Sequence, residues 1–443
     1  METIRLSSSK YSINKVKSIT VLIFFYWLIY ENIILAESLA FGGSLMLILV
    51  FGYKLFFPLL LLKFSSPFKL STFKNKGIFL YTISFLFFII WGSVPTLISG
   101  DVFSWIKLLP VMIFFIATLS FFSKFPYSFI FLIKLIILYV LSALVQYFII
   151  NIFGFYGQEF GSFTLAGPFG ILGNTQGQFQ LPLINQPIIR LCGFWREPSN
   201  ASAVAFACFF YAKFLYSQGE NKKWLYSGYL CFLAGILTLS NAGFLAIGVA
   251  VFFGFILQKQ STSSKFIKLI IIIPLISIFI WFSLFSRAYF SKYGTDNPYF
   301  LAISGLRAID IGYKDYDPYD GRLDRMSYAY EETKKNIIGK GIQTTGSKGI
   351  SGAPAGGFLY WMYLTGFPGL SLLLIREFNL FLSTIKNIKK NQNVLFLGQA
   401  LVVTLVQHLS YGSWMDPNYI FLASAILIST FWTKKSFNDN KES

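Results

Sequence analysis

The sequence predicts an all-α polytopic membrane protein with about twelve transmembrane helices and two large extracytoplasmic loops. Three observations predict it. The chain of 443 residues is 55% hydrophobic and only 13% charged, whereas a soluble globular chain carries about a quarter charged residues. Runs such as ITVLIFFYWLIY and FIKLIIIIPLISIFIWFSLF approach the ~20 apolar residues that a helix needs to cross the hydrocarbon core. Lysines fall mostly in the gaps between runs, in an alternating pattern that orients such a protein.

Taken in order, the apolar segments lie near 18–36, 38–61, 78–98, 104–121, 127–154, 199–217, 224–240, 242–258, 266–286, 356–375, 393–410 and 416–433. The first follows a basic tail (Arg5, Lys10, Lys15, Lys17) with no small-residue cleavage site after it, so it reads as a signal anchor. Gly42, Gly43 and Pro58 interrupt the second. The seventh and eighth are separated by little more than the turn around Asn241-Ala242-Gly243. No repeat of 20–50 residues is present, so the chain is a single integral membrane domain over 1–443.

Orientation follows from the loops. With a cytoplasmic N-terminus, the inner loops hold Lys63, Lys69, Lys74 and Lys76, then Lys124, Lys222, Lys223, Lys259, Lys265, Lys386, Lys389 and Lys390. The C-terminal tail adds Lys434, Lys435 and Lys441. The short outer connections SGDVFS, SNAG and SYGSWMDP contain no lysine or arginine. Both termini are therefore expected in the cytoplasm. Two long segments, 155–198 and 287–355, then fall outside. Loops beyond ~12–15 residues are usually functional or disordered, and these are rich in aromatics and glycine. The second carries helical texture, with Leu323, Met326, Tyr330 and Ile337 spaced along roughly one face.

Several chemistries are excluded. The net charge of +18 lies in topology lysines rather than on a binding face, so no nucleic-acid partner is expected. The three cysteines, Cys192, Cys208 and Cys231, form no paired framework. With one histidine, His408, and no cysteine cluster, no His- or Cys-based zinc site can be built. GIQTTGSKG (341–349) approaches a phosphate-loop pattern, but Ser347-Lys348 reverses the required order and no strand precedes it. No cofactor is expected.

What remains is arginine in the two outer loops: Arg190, Arg196, Arg287, Arg307, Arg322 and Arg325. Its planar fork of donors suits bidentate phosphate recognition, which a point-charge lysine matches less well. Arg287 and Arg307 read as solvated charges near the many loop carboxylates. Arg190 and Arg322, placed where loops return to the membrane, read as diphosphate ligands. Outside the cell membrane a glycosyl donor must be lipid-linked. Arginines can neutralise a departing diphosphate without a metal, and a carboxylate can take the acceptor's proton.

These residues meet a family pattern. Arg190-x-x-Gly193-x-x-x-Glu197-Pro198-Ser199, opening an apolar helix after a long loop, resembles the Wzy-type O-antigen and capsule polymerases, relatives of the O-antigen ligases. GRLDRMSYAYEETKKNIIGKGI is similar to the family's Gly-Arg start, amphipathic helix and Gly-x-Gly end, and GGFLYWMYLTGFPGLSLLLI to its next span with a Gly-x-Pro-Gly turn. The resemblance covers most of the chain as a layout and rests on three short motifs. It implies glycosyl transfer from undecaprenyl-diphosphate-linked oligosaccharide at the periplasmic face of the bacterial inner membrane, with a chain-length regulator protein as a further partner. Arg190 and Arg322 match arginines at the lipid diphosphate, with Arg196 and Arg325 as helpers. Glu197 matches an acidic position, and Asp324 is the other candidate base. One departure disfavours a ligase: relatives carry a His-Asn pair where this chain has Ala355-Gly356. The rival from another class is a flippase of the same lipid-linked unit. It is disfavoured because the spans hold few charges, among them Lys107, Lys134, Lys213 and Glu31.

Overall fold

The computed structural model describes residues 13–31, 44–65, 75–99, 108–153, 178–181, 186–189, 191, 198–238, 240–258, 322–341, 357–410 and 417–429. Twelve helices occur among the described residues. They are α1 (Ile13–Glu31), α2 (Ser44–Ser65), α3 (Lys76–Ser99), α4 (Leu108–Lys124), α5 (Pro126–Phe153) and α6 (Pro198–Ser217). The series continues with α7 (Lys222–Leu237), α8 (Asn241–Leu257), α9 (Arg322–Lys335), α10 (Gly357–Lys390), α11 (Val394–Ser410) and α12 (Pro417–Ile428). A short antiparallel hairpin, β1 (Gln178–Leu181) and β2 (Gln186–Ile189), pairs Gln178 with Ile189 and Leu181 with Gln186.

Helices occupy eleven of the twelve apolar segments read from the sequence, and the remaining one, 266–286, lies outside the described residues. Among the described residues three helices are long and apolar enough to cross a membrane. These stretches are Lys76–Ile98 in α3, Pro126–Phe148 in α5 and Leu359–Lys390 in α10. Shorter apolar stretches, Leu109–Lys124, Ala242–Leu257, Val394–Gln407 and Tyr419–Ile428, lie among them.

Local sequence explains the helix ends. Pro126 lacks an amide hydrogen and so both stops α4 and opens α5, where that donor is not needed. Asn221 caps α7 by accepting from the Lys223 amide (2.9 Å), and Ser240 caps α8 by accepting from Gly243 (3.3 Å). Pro198 opens α6 as its first residue, which leaves Ser199 inside the helix rather than at its cap.

The helix α6 is the centre of the bundle: Ala201 to Phe210 is buried throughout, against α5, α7, α8 and α11. Its small residues allow this. A Cβ on Gly228 of α7 would lie 2.5 Å from that of Ala212, and one on Gly235 2.5 Å from the Phe206 ring. Such close approach replaces the hydrophobic drive that lipid does not supply between helices. A second packing centre is aromatic. Tyr26 of α1 meets Phe114 of α4 at 4.2 Å between ring centres, beside Phe57 of α2, and Phe114 reaches Phe421 of α12.

Two features depart from the sequence reading. The stretch expected to stay in the first long loop contains the β-hairpin, with β2 against α5. The tenth apolar segment, read as 356–375, continues helically to Lys390 with a break at Gly366 (φ 68°, ψ −172°). Hydropathy falls at Arg376-Glu377 and so suggests an end there, but the helix runs on through a buried Arg376 and a half-buried Glu377 that pair with each other.

Candidate functional site

Within the second long loop, the turn after α9 is held by the break in α10. A positive φ at Gly366 separates Gly357–Thr365 from the rest of the helix and frees backbone groups on both sides. The turn after α9 satisfies them. Lys340 N–H donates to the Tyr363 carbonyl (3.0 Å), Gly341 N–H to Leu364 (2.9 Å), and the Ile337 carbonyl accepts from Phe367 N–H (3.2 Å). Trp91 Nε1 of α3 donates to the Thr365 carbonyl (2.8 Å). Gly339 (φ 99°) donates to the Asn336 carbonyl at 3.0 Å.

The fit admits no side chain at two positions. A Cβ on Gly366 would fall onto the Ile337 carbonyl oxygen, and one on Gly339 would lie 2.5 Å from the Gly366 nitrogen. Both residues also occupy left-handed backbone, where glycine carries no steric cost. The Gly-x-Gly that follows α9 and the glycine two residues before Pro368 are thus two halves of one backbone joint.

This joint fixes α9, whose first turn carries Arg322, Asp324 and Arg325. Positions 322 and 325 lie one helical turn apart, so their backbones share a side of the helix. Among the described side chains of α9, Ala329 and Thr333 are buried, and the Thr333 hydroxyl donates to the Ala329 carbonyl (2.6 Å). The expected apolar face through Tyr330 and Ile337 is corrected: Tyr330 is exposed and the helix ends at Lys335, so Ile337 lies in the turn. Glu332 bridges helix to turn, accepting from Lys335 (2.9 Å) and pairing with Lys340 (3.0 Å). Hydrogen bonds from Lys335 first and then Lys340 hold its carboxyl below the usual range.

The first motif is bracketed rather than described. Arg190, Arg196 and Glu197 lie outside the described residues. On one side Leu191 is buried and its amide donates to the Leu237 carbonyl (3.1 Å) at the end of α7. On the other, α6 begins at Pro198.

A further charged group was not anticipated. Arg376 of α10 is 1% exposed, and both its Nε (2.7 Å) and Nη2 (2.6 Å) reach Glu377 Oε1. Its guanidinium lies 4.8 Å from the Phe85 ring centre and near Tyr81 and Tyr419, and the Tyr419 hydroxyl donates to Glu377 Oε2. The pair closes on itself between α3, α10 and α12. Elsewhere Lys134 of α5 pairs with Glu220 at the α6–α7 turn (2.8 Å). Among the described residues no three His, Cys, Asp or Glu side chains come together as a metal site.

No protein-family model matches the chain, and no curated protein matches it either.

Proposed function

We propose that this protein is a polymerase of lipid-linked oligosaccharide repeat units, crossing the bacterial inner membrane about twelve times with both termini cytoplasmic and both long loops periplasmic. The hydroxyl of one repeat unit attacks the anomeric carbon of the chain held on undecaprenyl diphosphate. A glycosidic C–O bond forms, the bond from that carbon to the diphosphate oxygen breaks, and the acceptor proton passes to a carboxylate. Arg190 and Arg322, helped by Arg196 and Arg325, neutralise the departing diphosphate. Glu197 and Asp324 are the candidate bases.

The observation that carries this reading is the joint at Gly366. It fastens a helix with two arginines in its first turn to an apolar helix long enough to cross the bilayer. A lipid diphosphate needs cationic forks at that boundary. A flippase is the second reading, and the Arg376–Glu377 pair favours it, because charges inside apolar helices often mark transport paths. Its closed hydrogen bonding among aromatic rings supports packing instead.

Reconstitution with a lipid-linked repeat unit tests the choice. A polymerase lengthens the sugar chain and releases polyprenyl diphosphate with no other protein present. A flippase redistributes the unit across the bilayer unchanged, and a ligase needs a lipid A core acceptor.

A further inference from the structure

The turn that closes the joint is more apolar, and deeper along the bundle, than an aqueous loop should be. Ile337 is 60% exposed and Ile338 41%, on two consecutive turn positions, and neighbouring Phe367 is 37% exposed. Phe367 starts a stripe of exposed apolar residues on α10 that continues through Leu374, Ile375, Phe378 and Leu382. This spacing keeps to one face of a helix. Because the stripe runs down a helix long enough to cross a membrane, its natural cover is lipid acyl chain.

Depth can be read against α3, which runs antiparallel to α10. Gly77 lies beside Ser383, Phe85 beside Arg376 and Trp91 beside Thr365. The joint is therefore level with Trp91. The apolar stretch of α3 continues to Ile98, seven residues or about 10 Å further at ~1.5 Å per residue. Leu97 and Ile98 are themselves exposed. Amphipathic segments lying in a bilayer interface bury their apolar face by about 5–10 Å. The backbone pairing of Ile337, Lys340 and Gly341 with α10 meets the same environment, since peptide groups below the headgroups need protein partners. Lys334, Lys335 and Lys340 surround the turn with stems long enough to reach headgroup phosphates.

From this we infer that the Asn336–Gly341 turn is a membrane-inserted anchor. Ile337 and Ile338 sit among acyl chains just below the headgroups and hold α9 at the bilayer interface. For the proposed polymerase, this sets Arg322 and Arg325 at the depth of a lipid diphosphate. That last clause rests on the proposed function, whereas the anchor does not.

The test labels Ile337→Cys, and separately Ile338→Cys, with an environment-sensitive fluorophore in full-length protein whose three native cysteines are replaced, reconstituted in phosphatidylglycerol-containing vesicles. Glu331→Cys, at an exposed position of α9, serves as the aqueous comparison. At 337 and 338 the expected result is blue-shifted emission, severalfold stronger quenching by shallow spin-labelled lipid than at 331, and near loss of quenching by aqueous iodide. Strong iodide quenching at both sites overturns the anchor. So does protection from both quenchers, which would mean cover by protein or a second copy. Chain-lengthening activity is measured on the same vesicles. Lipid quenching without that activity refutes the polymerase and leaves the anchor standing, and activity without lipid quenching does the reverse.

Discussion

Gly339 and Gly366 meet so closely that a Cβ on the first would lie 2.5 Å from the backbone nitrogen of the second. Each has a positive φ, and the backbone bonds flanking them tie the end of α9 to the break in α10.

Gly366→Ala combines a left-handed alanine with a clash against the Ile337 carbonyl. Backbone strain of this kind costs about 1–3 kcal/mol, and displacement of the turn adds to it. The comparison is Gly248→Ala in α8, where a Cβ meets nothing within 4 Å and helix propensity improves. Thermal unfolding in detergent should show a clear loss for the first and none for the second. Equal melting temperatures would contradict the joint.

Arg376→Leu leaves the half-buried Glu377 without its cation, and Glu377→Leu leaves the buried Arg376 without its anion. Breaking a buried pair from one side costs about 3–5 kcal/mol, while replacing both partners by apolar residues is often near neutral. A double-mutant cycle by equilibrium unfolding should therefore show the double variant more stable than either single one. Additive losses would place the two residues in separate roles.

Glu332 makes the link between α9 and the turn pH-dependent. Its carboxyl is held below the ordinary value of about 4.3. The stabilisation is thus complete above that pH and is lost as pH falls through the lower, folded-state value. Exposed Lys335 and half-exposed Lys340 limit it to about 1 kcal/mol or less. Amide exchange of 336–341 should rise at low pH beyond its intrinsic dependence, and Glu332→Gln should remove the excess while raising exchange at neutral pH.

Arg190→Ala and Arg322→Ala test the proposed diphosphate ligands. Loss of one preorganised electrostatic partner costs roughly 10²–10³ in rate, enough to reduce surface lipopolysaccharide to cores capped with a single repeat unit. Lysine at either position should recover only part of the chain length, because it lacks the bidentate fork. Wild-type chain lengths in both alanine variants would remove these residues from the site.

Helices were legible from composition because an apolar run of sufficient length has one low-energy form in lipid, with its backbone bonded internally. The opening of α6 at Pro198 was legible for a local reason, the geometry of proline at a helix start. The end of α10 was misread, because a hydropathy pattern counts Arg376 and Glu377 as two charges. The packed pair presents almost none to its surroundings. The hairpin in the first long loop is not legible because QFQL and QPII are only four residues each, and Pro187 argues against a strand in the second.

The sequence by itself determined a helical, lipid-compatible chain and singled out the arginines of the two long loops. That information is local: run length, turn chemistry and charge spacing act between near neighbours. Only the tertiary structure decided that Gly339 and Gly366 are one joint, and that Arg376 and Glu377 neutralise each other between Phe85 and Tyr419. Those facts depend on segments distant in sequence meeting at a few ångströms, where a backbone hydrogen bond or a missing Cβ outweighs any propensity.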